Sequence, residues 1–212
     1  MRRKSKRYTY RFIKRVFDIF VSLIGLLFFI PLLLIVKILF ICTKDKGSLF
    51  FTQERIGLNG KLFKLYKFRT MHIDADKTLK QLLDENPELK KEYKRNKKLK
   101  NDPRITKIGN LLRKTSLDEY PQIFNIFTGK MSLIGNRPYL PREKKDMGKY
   151  YSAIVSTKPG LTGLWQVSGR SNISFKERLK LEKYYSNHCS FKMDIKIFFK
   201  TVKVILSGLG AR

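Results

Sequence analysis

The feature that most constrains this chain is residues 19–36, IFVSLIGLLFFIPLLLIV, which carry no charged side chain. At 1.5 Å rise per residue a helix of that length runs about 27 Å, close to the hydrocarbon thickness of a bilayer. The run is too long for the apolar part of a signal peptide, and ICTKDKG after it offers no small-x-small cleavage site. A buried core helix fits poorly, because the rest of the chain has no comparable apolar surface to enclose it. Two features argue against a simple crossing. Pro31 lies mid-run, lacks an amide proton and clashes with the carbonyl of residue 27, so it bends a helix. Both flanks are basic: Arg2, Arg3, Lys4, Lys6, Arg7, Arg11, Lys14 and Arg15 before, Lys37, Lys44 and Lys46 after. Positive-inside bias then draws both ends to the cytoplasm. The run therefore predicts a re-entrant membrane helix hairpin that enters, bends at Pro31 and leaves by the same face.

Charge narrows the partners. The chain of 212 residues carries 46 Lys and Arg against 17 Asp and Glu, a formal charge of +29. Such a balance calls for an anionic partner: nucleic acid, anionic membrane lipids, or phosphorylated small molecules. Cys42 and Cys189 stand far apart, and neither His72 nor His188 lies near a Cys or the other His. Zinc chemistry and a histidine-based triad are disfavoured, and a reducing compartment is the default.

After the membrane segment, LFFTQERIGLNGKLFKLYKFRTM predicts two strands joined by a turn at Gly57-Leu58-Asn59-Gly60. Residues 75–100 are helical in pattern, very polar, and interrupted at Asn86-Pro87. Ile105, Ile108, Leu111 and Leu112 suit a short amphipathic helix. Ile123, Phe124, Ile126 and Phe127 then give the next helix a buried side, with Gly129, Gly135 and Pro138 punctuating a loop. Ser174-Phe175-Lys176-Glu177 is a capping box opening a helix to about Tyr185. A last helix over about 193–206 sets Lys192, Lys196, Lys200 and Lys203 along one side and large apolar residues along the rest. That pattern suits either an anionic membrane interface or a domain-packing helix with a solvated lysine face.

One stretch concentrates chemistry: RKTSLDEYPQ, residues 113–122. Its plain reading is a helix start, with Ser116 as N-cap and Glu119 at N3. Pro121 then falls at the fifth helical position, where its ring disturbs the first full turn. Starting the helix at Asp118 removes that conflict and sets the Asp118 carboxylate at a positive helix end beside Arg113 and Lys114. A low carboxylate pKa is expected there, and an ionised carboxylate is what a nucleophile toward phosphorus should be.

The long motifs decide between the readings. QERIGLNGKLFKLYKFRTM, DPRITKIGNLLRKTSLDEYPQIFNIFTGKMSLIGNRP and KPGLTGLWQVSGRS, with the basic apolar N-terminus, together resemble the bacterial sugar transferases. These are monotopic polyprenyl-phosphate phosphoglycosyl transferases that begin capsule, exopolysaccharide and O-antigen repeat units. The resemblance covers essentially the whole chain. It implies that Asp118 is the nucleophile on the sugar-bearing phosphate and that Glu119 helps hold Mg²⁺. It also places Arg113 and Arg137 in the anion-binding site, and Lys67 and Arg69 of the KFRTM run near the nucleotide. Asn136 stands where the family usually has Pro, and Ile30 where many members have Ser. Larger relatives add four membrane helices and another domain in front, so the resemblance makes this chain the catalytic core alone. Members sharing the KPGLTGLWQVSGR tail often use UDP-glucose or UDP-galactose. Trp165 and Gln166 in that tail suit either a sugar contact or the core.

The expectations are therefore these. The fold is α+β and mainly helical: a re-entrant membrane helix hairpin, a small β-hairpin, and amphipathic interfacial helices around a compact catalytic domain. Residues 1–47 form the basic N-terminus and membrane helix, and 48–212 the catalytic domain at the cytoplasmic face of a bacterial membrane. The partners are a UDP-sugar, polyprenyl phosphate and anionic lipids, with no nucleic acid and no signal for oligomeric state. A membrane-tethered nucleic-acid or lipid binder explains the charge, but not the dyad beside a proline or the ordered motifs.

Overall fold

The computed structural model describes residues 2–43, 45, 47–96, 99–169 and 173–206. Of the basic flanks, Lys44 and Lys46 lie outside these residues, as do the side chains of Arg2, Arg3, Lys4, Lys6 and Arg7. The architecture is mainly helical with two small sheets.

The apolar run lies within one helix, α1 (Arg2–Cys42). In place of two separate helices, one helix continues through Pro31. Proline removes a single ladder bond there, and the bonds on either side carry the helix on. Among the described residues this is the one helix long and apolar enough to cross a membrane. One face is buried: Asp18, Ser22, Phe29, Val36 and Phe40, at spacings that return to the same side of a helix on both sides of Pro31. The outer face exposes Phe20, Leu27, Ile30, Leu34, Ile38 and Ile41.

The expected hairpin strands are β1 (Phe50–Ile56) and β2 (Leu62–Phe68), antiparallel with Phe50 opposite Phe68 and Ile56 opposite Leu62. Asn59 makes the turn in the left-handed region at φ 54°, which asparagine tolerates. Then α2 (Ala75–Glu85) and α3 (Pro87–Asn96) divide at Asn86, as the proline required. Helix α4 (Lys107–Lys114) is capped by Thr106, whose Oγ1 accepts from Gly109 N at 2.9 Å. Ile108 and Leu112 pack with Val36 and Phe68, while Leu111 stays exposed.

A 3-10 helix (Leu117–Gln122) leads directly into α5 (Ile123–Phe127), where Ile123 and Ile126 are buried but Phe124 and Phe127 are not. The loop expected next contains a buried strand, β3 (Ser132–Ile134). Past α6 (Lys144–Met147) and α7 (Tyr151–Val155), it pairs in parallel with β4 (Gly160–Thr162). Helix α8 (Phe175–His188) begins with the expected Ser174–Glu177 capping box. Helix α9 (Phe191–Leu206) resolves its two readings by having three faces. Asp194 and Ile197 are buried, the four lysines are solvated, and Phe191, Ile195, Phe199 and Val202 form an exposed apolar stripe.

Polar contacts fix α1 to the body. Near one end, Lys14 and the Tyr10 hydroxyl reach Asp194 at 2.5 and 2.8 Å. The Arg15 guanidinium donates to the Ile126 and Phe127 carbonyls, both at 2.7 Å. Asp18 accepts from Ser132 Oγ at 3.0 Å and Leu133 N at 2.9 Å. Midway, the Tyr120 hydroxyl donates to Gly25 O at 2.8 Å, and a Cβ at Gly25 would lie 2.9 Å from Ile123. Just beyond the other end, Arg69 binds Asp45 at 2.7 Å while stacking 5.1 Å over Phe40.

Candidate active site

Lys67, near the end of β2, reaches the 3-10 helix that carries the dyad. Its ammonium lies 2.6 Å from Glu119 Oε1 and 3.7 Å from Asp118 Oδ2. The two carboxylates differ in setting, Asp118 being 8% exposed as a residue and the Glu119 side chain 39%. Tyr120, next in the chain, ties the dyad to the middle of α1 through Gly25.

Ser116 does not cap this segment. It sits at φ 58° and ψ 15°, and its hydroxyl makes no capping bond. A left-handed residue turns its side chain away from the amides an N-cap serves. Few non-glycine residues adopt that conformation, and here it turns the chain sharply between Arg113 and Asp118.

The expected low pKa of Asp118 is also overturned. Burial pushes this carboxyl up and the Glu119 charge adds to that; Lys67 and Arg113 pull it back, leaving it above the ordinary range. Glu119 takes the opposite direction. Its partly desolvated surroundings raise it, but the charge and hydrogen bond of Lys67, then Arg137 and Arg55, bring it below the usual value. The cations at Glu119, Lys67 first, separate two adjacent acids.

Arg113, in the last turn of α4, donates Nε to Thr70 Oγ1 at 2.9 Å, which leaves its terminal nitrogens toward another acceptor. Burial lowers its pKa, and the nearby Asp118 charge opposes that. Arg137 follows β3. Its backbone N donates to Glu182 Oε1 at 2.8 Å, and its guanidinium stands 5.8 Å from the Trp165 ring. Asn136 settles the loop geometry that its unusual identity left open. Its Nδ2 lies 3.0 Å from Ile154 O, 3.1 Å from Thr157 Oγ1 and 2.6 Å from Ser186 Oγ. Arg69 is not brought to the dyad: its donors go to Ser48 O, Met71 O and Asp45, which makes it a fastening for the end of α1.

Among the described residues no group of three His, Cys, Asp or Glu side chains could hold a metal. Asp118 and Glu119 nevertheless converge on one cation, the Lys67 ammonium. A cavity of about 270 Å³ lies elsewhere, between α1, β3 and α9, lined by Phe17, Leu133, Phe191, Phe198 and Phe199 with Lys14, Asp18 and Asp194.

The bacterial sugar transferase family matches residues 9–208. The chain belongs to the bacterial sugar transferase family. The undecaprenyl-phosphate galactose phosphotransferase of Salmonella typhimurium is 42% identical over 201 residues, 95% of this chain and 42% of that protein. Galactosyl transferase CpsE of Streptococcus agalactiae is 43% identical over 212 residues, 99% of this chain and 45% of its own length. This chain thus spans less than half of those two relatives. Exopolysaccharide production protein ExoY of Rhizobium meliloti is 41% identical over 201 residues, with 93% of this chain and 87% of ExoY covered.

Within this bacterial sugar transferase the site includes residues that sequence reasoning did not single out. Arg55 lies in the quoted QERIG run but drew no role. Its guanidinium donates to Pro138 O at 3.0 Å and Gln53 Oε1 at 2.6 Å, and burial, with Arg137 beside it, pulls its pKa down to about 10. Glu182, buried behind Arg137, is pushed up to about 7 by desolvation. Arg178 had no local signal at all, being one charge among many in KERLKLEK.

Proposed function

We propose that this chain transfers a sugar 1-phosphate from a UDP-sugar to polyprenyl phosphate, releasing UMP, through an aspartyl-phosphosugar on Asp118. The observation that carries this reading is an acceptor-rich dyad, with Asp118 buried, ringed by Lys67, Arg113 and Arg137 and fastened through Tyr120 to the apolar helix. Lys67 and Arg113 draw the sugar-bearing phosphate to the dyad. Asp118 attacks phosphorus, the bond to the bridging oxygen breaks, and UMP leaves with that electron pair. An oxygen of the polyprenyl phosphate then attacks the same phosphorus and releases the carboxylate. Two anionic substrates need never meet, since each in turn meets the enzyme.

Glu119 is the residue that would hold Mg²⁺, with Asp118 beside it, because their carboxylates already share one cation. Mg²⁺, when bound, supplies neutralising charge to the phosphoryl oxygens. Galactose is the favoured sugar, after the names of the Salmonella and Streptococcus relatives. The setting we propose is monotopic at the cytoplasmic face, with α1 entering and leaving the bilayer on one side and residues 48–212 as the catalytic domain. Support comes from the two ends of α1, which are fastened to the same body by Asp194 and by Arg69. Cysteines placed at positions 5 and 47 should then label from the cytoplasmic side only; labelling of one end from outside would establish a span.

The decisive experiment is a panel of UDP-sugars, radiolabelled in the sugar, given to enzyme in detergent with Mg²⁺ and polyprenyl phosphate. UMP release together with a labelled protein adduct in the absence of acceptor is the expected result. UMP release that always requires acceptor, with no adduct, would mean direct transfer in a ternary complex.

A further inference from the structure

Among the described residues, the buried side-chain nitrogens and oxygens that lack a partner gather in one neighbourhood beyond the dyad. They include Nε of Arg55, Arg137 and Arg178, Nε1 of Trp165 and Oε1 of Gln166. Arg178 is the extreme case. It is 8% exposed and stacks 4.3 Å over Trp165, yet its Nε has no hydrogen-bond partner among the described residues. Burial lowers its pKa, and the charge of Arg137 beside it lowers it further. The nearby Glu182 does not balance the two. One of its oxygens is taken by the Arg137 amide, the Tyr139 hydroxyl lies beside the carboxyl, and burial raises its pKa to about 7.

Buried, unpaired like charges are among the costliest arrangements a fold can hold, and an anion that binds between them is one resolution. We propose that Arg137 and Arg178, side by side on Trp165, bind the nucleotide half of the donor through the phosphate that leaves as UMP. This rests on the reading of the dyad given above. Position favours that half of the donor. Glu119 feels Arg137 and Arg55, and Arg178 lies one step further out, next to Arg137. A diphosphate with its sugar-bearing phosphorus at Asp118 would meet these arginines with its second phosphate. This phosphate gains charge as the bond breaks, and guanidinium forks match its oxygens. The acceptor has a different approach. Arg178 adjoins the cluster of Ile56, Tyr139, Met147, Ile154 and Leu179, which contains no α1 residue, whereas Tyr120 faces α1 directly.

The test uses full-length Asp118→Asn protein in detergent, which binds without turning over, titrated with UMP and separately with uridine by calorimetry. Adding Arg178→Met, which keeps a stem over Trp165, should weaken UMP roughly ten- to hundredfold, the worth of a charge-assisted hydrogen bond, and uridine less than about threefold. Arg178→Lys should fall between. A structural role for Arg178 would lower the melting temperature while leaving the UMP-to-uridine ratio unchanged, and that result overturns the proposal. So does UMP affinity that is unaltered, or weakened no more than uridine. Failure of the dyad reading would show separately, as wild-type enzyme that releases no UMP from any UDP-sugar.

Discussion

Asp18 and Asp194, where α1 meets β3 and α9, are as buried as Asp118 and Arg178 around the dyad. Their surroundings differ in completeness. Asp194 receives Tyr10 at 2.8 Å, Tyr185 at 2.7 Å and Lys14 at 2.5 Å, and Asp18 receives a hydroxyl and a backbone amide. The arginines beyond the dyad have unused donors instead. Charge of the first kind joins one part of the protein to another. Charge of the second kind is arranged for something that arrives. Burial alone therefore does not mark a functional charge; the balance of donors and acceptors around it does.

The sharpest way to break this contrast is at the dyad. Asp118→Asn should abolish adduct formation and lower turnover on the order of 10³-fold or more, as loss of a nucleophile does, without changing the melting temperature. Retention of a tenth of wild-type rate would end the covalent mechanism. Next, Arg113→Lys and Arg137→Lys should each cost about 3 kcal/mol of transition-state stabilisation, roughly a hundredfold, because an ammonium cannot copy a planar fork. Lys91→Ala is the matched control. Lys91 pairs with Glu88 on the exposed face of α3, and its charge is screened within about 10 Å, so turnover should stay unchanged at fixed ionic strength. Similar small losses in all three would make the charge a general membrane attraction.

The pH profile reads the dyad directly. Asp118 must be ionised to attack, and its pKa is raised, so adduct formation is complete above that raised value and falls as pH drops through it. The acid limb should lie above the ordinary aspartate value of 3.8. Lys67 holds the carboxyl down, so Lys67→Met should move the limb to higher pH; a shift to lower pH would contradict the geometry. The smallest catalytic effect belongs to the other cluster. Asp18→Ala leaves two donors unmet and should cost about 2 kcal/mol, near 5 °C in melting temperature, with the rate of folded enzyme kept within about threefold. Asp18→Asn keeps an accepting oxygen and should cost less. A rate collapse in either, at unchanged melting temperature, would erase the distinction between the two clusters.

What the sequence made legible follows the same division. Patterns with a short period were readable: the apolar run, the β1–β2 turn, the break at Asn86-Pro87, and the Ser174–Glu177 box. The β3–β4 pair was not, because SLI and GLT are too short to alternate and meet only after a long excursion. Of the residues expected at the site, Asp118, Glu119, Lys67, Arg113 and Arg137 come together, whereas Arg69 is used up by Ser48, Met71 and Asp45. The direction of the Asp118 pKa was misjudged because desolvation comes from distant chain, whereas the local guides were helix position and the neighbouring Arg113 and Lys114. Arg178 was invisible for the same reason: nothing beside it in the chain says that it will be stacked on Trp165 with its Nε unpartnered.

The contacts of α1 also set an order of events at synthesis. Residues 10–25 emerge from the ribosome long before the groups they complete: Ile126 O, Phe127 O, Ser132, Leu133 N and Asp194. The body therefore finishes folding against a helix already made, and in the membrane setting proposed above insertion and folding would be one process. A version trimmed to begin at Ser48 would lose the acceptor for Ser132 and the donors for the end of α5. It should aggregate rather than yield a soluble enzyme, because here the apolar helix is a structural member of the body it serves.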